Sequence, residues 1–196
     1  MSRVVIFNGP PRSGKDTAVN TIWQLLDRSC IHIKMADPIT NSVKSLFGIQ
    51  FADWQHIYNN FKDAPHPQLQ GMTPREACIW LSEEVVKPKF GKDFFGRIAA
   101  RRCTDAIDGG YTVLMSDGGF LDEVQCIVDH VGSEHVVLVH LHRPGFDFAN
   151  DSRSLLDHQQ LGIPRSNFTS VINCGDLQDY QQQLKLRVLP LLTDDE

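Results

Sequence analysis

The sequence predicts an α/β fold built on a parallel sheet of about five strands, and three observations carry that prediction. Short apolar, β-branched runs alternate with stretches of helical periodicity along the whole chain. Those runs are apolar at successive positions rather than at alternate ones, as strands buried on both faces are. A glycine-rich turn joins the first run to the first helical stretch. With 196 residues the chain has the length of one domain and can bury a substantial core.

Residues 3–8, RVVIFN, read as a buried strand ending in Gly9-Pro10-Pro11. From Asp16 the apolar residues recur at helical spacing, with Val19, Trp23 and Leu26 on one stripe and Ile22 and Leu25 beside it. CIHIKM (30–35) is a second strand. Asp37-Pro38 reads as an N-cap followed by proline at the first helical position, opening a helix that runs to Phe47 and stops at Gly48. Residues 49–72 have the least regular pattern. Thr73 can cap a helix, Pro74 suits its first turn, and Glu76 stands at the capping-box position. That helix should run toward Val86 and end before Pro88. Asp93 starts another, through about Ile107, closed by Gly109-Gly110.

TVLMSD (112–117) is a strand leading into Gly118-Gly119, LDEVQCIVDHV (121–131) a helix, and HVVLVHLH (135–142) a strand. Residues 152–161 suggest a short helix, SVINC (170–174) a last strand, and 176–192 a C-terminal helix. The long helical stretch between the second and third strands is expected to form a subdomain over the ligand-bearing edge of the sheet.

Composition narrows the function classes. Hydrophobic residues at 41% and charged residues at 22% argue against wholesale disorder. A net charge of -5, with no lysine or arginine tract, weighs against coating of polymeric nucleic acid. The N-terminal apolar run is too short for a secretory signal, and no stretch approaches the ~20 apolar residues of a membrane span. Five scattered cysteines without a Cys-x-x-Cys pair suggest a reduced, cytoplasmic protein without structural zinc.

The turn after the first strand carries the chemistry. Gly9-x-x-x-x-Gly14-Lys15 has the spacing of a phosphate-binding loop, with a strand before it and a helix after it. Backbone N–H groups from Gly9 through Arg12, Ser13 and Gly14 can wrap a phosphate, and the helix N-terminus adds partial positive charge. Lys15 can reach the β- and γ-phosphates. The next position usually bears a hydroxyl that ligates magnesium; here it is Asp16, which supplies a harder, charged oxygen. Thr17 behind it can still bond a phosphate oxygen.

The blocks RSGKDT, MADPITNSVKSLFG, TPREACIWLSEEVVKPKFGKDFFG, VLMSDGGFLDE and HLHRPGFDFANDSRS, in this order, resemble the phage deoxynucleoside monophosphate kinases, a group similar to animal phosphomevalonate kinases. The resemblance spans most of the chain. It implies a P-loop kinase-like three-layer α/β fold, a single domain over 1–196 with a helical acceptor-binding insertion at about 37–110 and a lid at about 143–165. It implies ATP with Mg2+, and a (deoxy)nucleoside monophosphate as acceptor.

The resemblance also implies roles. Asp117 resembles a Walker-B carboxylate and would hold magnesium with Asp16. Arg143 and Arg153 would be the charge-stabilising pair at the lid, in keeping with the fit of guanidinium to phosphate oxygens. Arg165 is a weaker candidate. Asp37, Lys62, Arg75 and Lys92 lie at loops or helix starts of the insertion and are candidates for the acceptor. Glu123 stands at the spacing of an acidic residue of the family, and Gly119 stands where the family often has arginine. SVINCGD (170–176) is similar to the loop near the adenine. Phe61 and Trp80 could stack a base, and one of Glu83 and Glu84 should face inward. His140 and His142 share a strand face, but no second ligand pair completes a zinc set; they are read instead as strand-end histidines near phosphate.

Two alternatives stay open: a kinase of the same fold acting on a modified base in DNA or a small alcohol, and a nucleotide-gated switch. The switch would need a guanine-reading Asn-Lys-x-Asp motif, and the sequence has none. The expected partner is a small nucleotide, not a nucleic acid polymer or a membrane. A homodimer is left open, and the compartment would be the host cytoplasm if the chain is phage-encoded.

Overall fold

The computed structural model describes residues 2–26, 29–149, 151 and 153–193. They form two compact units, one of residues up to 34 together with 96 onward, the other Met35–Phe95.

The first unit is a five-stranded, all-parallel sheet with flanking helices. Its strands are β1 (Val4–Asn8), β2 (Cys30–His32), β3 (Thr112–Met115), β4 (Val136–His142) and β5 (Phe168–Ile172), in the spatial order β2-β3-β1-β4-β5. β1 lies at the centre, with Val4 opposite Val113 of β3 on one side and Val136 of β4 on the other. The chain leaves β1 toward one edge and later returns to its other side. The C-terminal end of β1 is therefore a topological switch point, where open α/β sheets form their ligand crevice.

Val5 and Phe7 of β1 pack with Ala18, Val19 and Ile22 of α1 (Lys15–Leu25) and with Tyr180 and Leu184 of the C-terminal helix at Leu177–Arg187. On the other face Met115 of β3 meets Cys103, whose Sγ is 3.9 Å from its Sδ. The apolar stripe of α1 differs from the expected one. Ala18, Val19 and Ile22 are buried, whereas Trp23 and Leu25 are each 38% exposed. Most strands are shorter than the apolar runs suggested or shifted by a residue or two; β2 ends at His32, and β5 begins at Phe168. The five cysteines form no disulfide. Among the described residues no helix is long and apolar enough to cross a membrane.

The second unit is helical: α2 (Asp37–Leu46), α3 (Phe51–Phe61), α4 (Pro74–Ile79), a π-helix (Trp80–Val86) and α5 (Lys87–Phe90). Its core gathers Val43, Ile49, Trp54, Ile57, Leu69, Ala77 and Leu81. The capping box at Thr73 is present: its hydroxyl accepts from Glu76 N at 3.1 Å, and Glu76 Oε2 accepts from Thr73 N at 2.8 Å. Three expectations are corrected. Ala36, not Asp37, caps α2, with Asp37 in the first turn. Residues 51–61, expected to be irregular, form α3, because Trp54 and Ile57 share a buried face. The helix from Thr73 does not stop before Pro88. The turn ahead of the proline widens into π bonding, Lys87 N to Ser82 O, and α5 restarts with Pro88 in its first turn, where no N–H is needed.

The remaining helices are α6 (Phe94–Asp108), α7 (Leu121–Val131) and α8 (Leu177–Arg187). The short helix expected over 152–161 is absent among the described residues. Residues 153–157 carry no regular structure and a turn follows at 158–162, because the backbone of Ser154 and Leu156 is bonded elsewhere, as described below.

Candidate functional site

The loop after β1 is held in shape by its surroundings. A Cβ at Gly9 would lie 2.5 Å from Leu141 O and 2.8 Å from Ser13 Oγ, so no larger residue fits there. Ser13 is fully buried, and its hydroxyl has no hydrogen-bond partner. Arg12 takes a left-handed φ of 64°, uncommon outside glycine, and its carbonyl accepts from Arg143 Nη1 at 2.8 Å. Gly14, at φ 100°, opens α1. Behind it, Asn173 Nδ2 donates to Ser13 O at 3.0 Å, and Tyr180 Oη donates to Gly14 O at 3.1 Å. The N–H groups of Lys15, Asp16 and Thr17 precede the first bond of the helix, Ala18 N to Gly14 O, and present an N-terminus of the kind that receives phosphate.

A cavity of about 390 Å³ opens here, lined by Gly14 to Thr17 and by Arg12, Arg143 and Phe146. The Arg143 guanidinium lies 4.8 Å from the centre of the Phe146 ring. Lys15 Nζ donates to Gly9 O at 2.8 Å and Pro10 O at 2.7 Å. Burial, and then the nearby charge of Arg153, lower its pKa to about 8, while Asp16, Asp151 and Asp117 pull the other way.

Two carboxylates therefore act on the Lys15 ammonium from the expected metal positions. Asp16 Oδ1 accepts from Ser116 Oγ at 2.8 Å and lies 3.4 Å from Lys34 Nζ. Burial opposes ionisation of Asp16, but the Ser116 hydrogen bond and the Lys34 charge overcome it, and its pKa is lowered. His32 Nε2 sits 3.2 Å from the same Ser116 hydroxyl. Asp117 directly follows Ser116 beyond β3. This donor set, ionised carboxylates and a hydroxyl beside a phosphate loop, fits magnesium, which binds through one or two carboxylates and keeps several waters. No group of three or more His, Cys, Asp or Glu side chains that could hold a metal occurs among the described residues.

Arg153 joins this region from residues 153–161, a strap after β4 that carries no helix or strand. Its Nε and Nη2 donate to Asp151 Oδ1 at 2.7 Å and Oδ2 at 2.5 Å. Asn8, 1% exposed at the end of β1, donates from Nδ2 to Gly118 O at 3.1 Å and Ser154 O at 3.0 Å, and accepts from Leu156 N at 2.9 Å. One side chain thus ties the first strand, the turn after β3 and the strap together.

The proposed acceptor residues all belong to the unit 35–95. Lys62 caps the end of α3 with Nζ 4.9 Å from the centre of the Tyr58 ring, and its carbonyl accepts from Arg75 N at 3.4 Å. Arg75 Nε donates to Asp63 Oδ1 at 2.8 Å. Lys62 and Arg75 are thus brought together. Asp37 sits in the first turn of α2, and Lys92 follows α5, where its charge helps to lower the Glu83 pKa. Phe61 is 39% exposed, with the His56 and His66 rings each 5.9 Å away. Trp80 packs against the core of its unit.

The readings of Glu83 with Glu84 and of His140 are corrected, and Arg165 and Glu123 are located. Glu83 and Glu84 are both exposed, and Glu83 pairs outward with Lys87 at 2.8 Å. His140 is 8% exposed, bonds Leu156 O at 2.7 Å and packs edge-on against Phe168; it is a packing group, kept neutral by burial. Arg165 donates to Phe168 O and lies over that ring, an ordinary local contact. Glu123 is buried in the first turn of α7, where a Cβ at Gly96 would come 2.6 Å from its Cα. Asn8, Ser116, Asp151, Asn173 and Tyr180 were not singled out from sequence. For Asn8, Ser116, Asn173 and Tyr180 the only signal was position, at or just beyond a strand end or in a helix packed behind the loop, and Asp151 gave none.

No family model and no curated protein matches this chain. Among solved structures it is similar to a sugar kinase from Janibacter sp. HTCC2649, at 14% identity, covering 94% of this chain and 90% of that one, with a TM-score of 0.43. It is also similar to TT1252 from Thermus thermophilus, at 12% identity, covering 98% of this chain and 99% of that one, with a TM-score of 0.48. At such distances the chemistry rests on this chain's own residues.

Proposed function

We propose that this chain is an ATP-dependent phosphotransferase that carries the γ-phosphate to a (deoxy)nucleoside monophosphate and yields the diphosphate. The observation behind the reading is Lys15, which lines a 390 Å³ cavity at the N-terminus of α1 together with Arg143 and feels the charge of Arg153. Phosphoryl transfer asks a protein chiefly for alignment and for positive charge on the shifting phosphate oxygens. The N–H groups that open α1 would receive the phosphates. Lys15 would exchange the carbonyls of Gly9 and Pro10 for phosphate oxygens. Burial already holds its ammonium away from bulk water, so the exchange costs little further desolvation. Arg143 and Arg153 would balance the charge that develops.

Asp16 and Asp117 would hold Mg2+, which would supply positive charge against the phosphate oxygens. Phe146, 36% exposed beside Arg143, offers an apolar face to the base. Arg75, turned by Asp63, and its neighbour Lys62 are assigned to the acceptor phosphate, with Asp37 and Lys92 as further polar groups and Phe61 as a stacking surface. A free nucleotide is preferred to a nucleic acid polymer because the net charge is -5 and no basic tract is present.

The test is ATP and Mg2+ with a panel of nucleoside monophosphates, sugars, small alcohols and DNA. The expected result is ADP formed only when a monophosphate is present, and lost by several orders of magnitude in Lys15→Ala with the fold retained. ADP formed with a sugar or alcohol instead would reassign the acceptor. Tight ATP binding without transfer to any acceptor would favour a switch, and wild-type turnover in Lys15→Ala would end the phosphotransferase reading.

A further inference from the structure

Asp151 has no part in the chemistry above, yet it holds Arg153 through three hydrogen bonds. The two form a side-on, bidentate pair, and Asp151 Oδ1 also accepts from the Arg153 backbone N at 3.0 Å. The carboxylate is 13% exposed and the guanidinium side chain 27%. A guanidinium presents five N–H donors in a rigid plane, so two bonds to one carboxylate set both its plane and its direction.

The stem of Arg153 is fixed by a different residue. A Cβ built on Gly119 would lie 2.8 Å from Arg153 Cδ and 2.9 Å from both Cβ and Cγ. These atoms include the root of the side chain, which cannot swing aside without moving the strap. Gly119 does not adopt a positive φ, so the backbone itself would accept another residue. What requires glycine there is the arginine lying across it. The root is fixed as well: Ser154 N donates to Gly119 O at 3.2 Å, and Asn8 holds Ser154 O and Leu156 N.

We propose that Gly119 and Asp151 are positioning residues for Arg153, the glycine bedding its stem and the carboxylate orienting its guanidinium before any nucleotide arrives. The proposal rests on the phosphotransferase reading for its kinetic consequence, but the pairing itself does not. An arginine ordered in the resting protein has little rotamer freedom left to lose in the transition state. Asp151 also places a negative charge near the phosphates, which opposes nucleotide binding. Removing that charge and removing the orientation should therefore have opposite effects on binding and turnover.

The experiment compares Asp151→Asn, Gly119→Ala, Arg153→Ala and Asp151→Asn/Arg153→Ala, with thermal unfolding as a control for folding. Asp151→Asn should lower kcat by about 10- to 100-fold, the order that misplacing a reactive group costs, while KM for ATP stays level or falls. Gly119→Ala leaves every charge in place and should lower kcat without lowering KM. In the Arg153→Ala background, Asp151→Asn should change kcat by less than about twofold, because groups acting as one unit are not additive. A purely structural role would instead lower the active fraction and leave the kcat of the folded fraction unchanged, and its loss would add to that of Arg153→Ala.

A second arm needs no turnover. In arginine side-chain NMR of the wild type, the Arg153 Nε–H, assigned by its loss in Arg153→Lys, should exchange slowly with water, and Asp151→Asn should release it. If that signal is not protected, or is unchanged in Asp151→Asn, the proposal fails whatever the acceptor panel gives. A protected signal with no phosphotransfer in the wild type would overturn the phosphotransferase reading and, with it, the kinetic role, leaving only the pairing. Additive kcat losses, or a kcat within about twofold of wild type in both single variants, would overturn the proposal while the phosphotransferase reading stood.

Discussion

Replacing Asn8 by alanine should unfasten the strap from the sheet. The side chain makes three hydrogen bonds, to Gly118 O, to Ser154 O and from Leu156 N, at 3.1, 3.0 and 2.9 Å. All three partners are backbone groups, and the residue is 1% exposed, so water cannot readily take its place. At ~1 kcal/mol net for each bond the loss is about 3 kcal/mol, and more if the stranded groups remain buried. For a chain of this size that corresponds to a fall of roughly 6–12 °C in the unfolding temperature. Turnover should fall as well, because the same bonds fix the strap next to Arg153. Calorimetry measures the first effect and steady-state kinetics the second. A shift below ~2 °C would mean that less than about 1 kcal/mol is lost, and the view of Asn8 as the tie between strand and strap would be wrong.

Asp16→Ala should raise the magnesium concentration needed for half-maximal turnover, whereas Asp16→Ser restores a hydroxyl at that position and should keep part of the activity; equal magnesium curves for wild type and Asp16→Ala would remove Asp16 from the metal site. Arg75→Ala should raise KM for the acceptor more than KM for ATP. Its ion pair with Asp63 is exposed, so stability should move by no more than ~0.5 kcal/mol; an effect confined to ATP would exclude Arg75 from the acceptor site. The Arg153 hydrogen bonds depress the Asp151 pKa from 3.8 to about 2. A depressed carboxylate stabilises the fold above its unfolded pKa and loses that contribution as pH falls through its folded one. The stability gap between wild type and Asp151→Asn should therefore close as pH drops from 3.8 toward 2, and a gap independent of pH would show that the pair contributes no charge term.

The parts of the fold legible in the sequence were those that local chemistry determines. The strands are β-branched runs, and the spacing of Gly9, Gly14 and Lys15 has a mechanical reason that needs no tertiary information. The capping box at Thr73 and Glu76 is likewise a local bargain between two side chains and two amides. α3 was not legible, because FADWQHIYNNF is poor in strong helix formers and the helix is supported by burying Trp54 and Ile57 in its unit. The segment 152–161 misled in the other direction: Asn8, about 150 residues earlier, takes Ser154 O and Leu156 N, which a helix would have used. The same limit applies at the site. Lys15 and Asp16 can be named from the motif, but the Ser116 hydroxyl on Asp16 and the Asp151 carboxylate on Arg153 depend on how distant segments meet.

The placement of β1 has a consequence for synthesis. It is made before the strands it pairs with, since its partners are Val113 and Val136 onward, more than 100 residues downstream. Until β3 has been made, the most apolar strand of the sheet has no neighbour to bond, and such long-range pairing is slow to form. The loop that follows β1 waits longer still, since Asn173 and Tyr180 brace it from the last strand and the last helix. A nascent chain stalled before residue 173 would carry every residue of the phosphate-loop motif without the braces that shape it. Such a chain would expose an apolar segment of the kind that chaperones bind, and nucleotide capture would have to wait for residues 173–180.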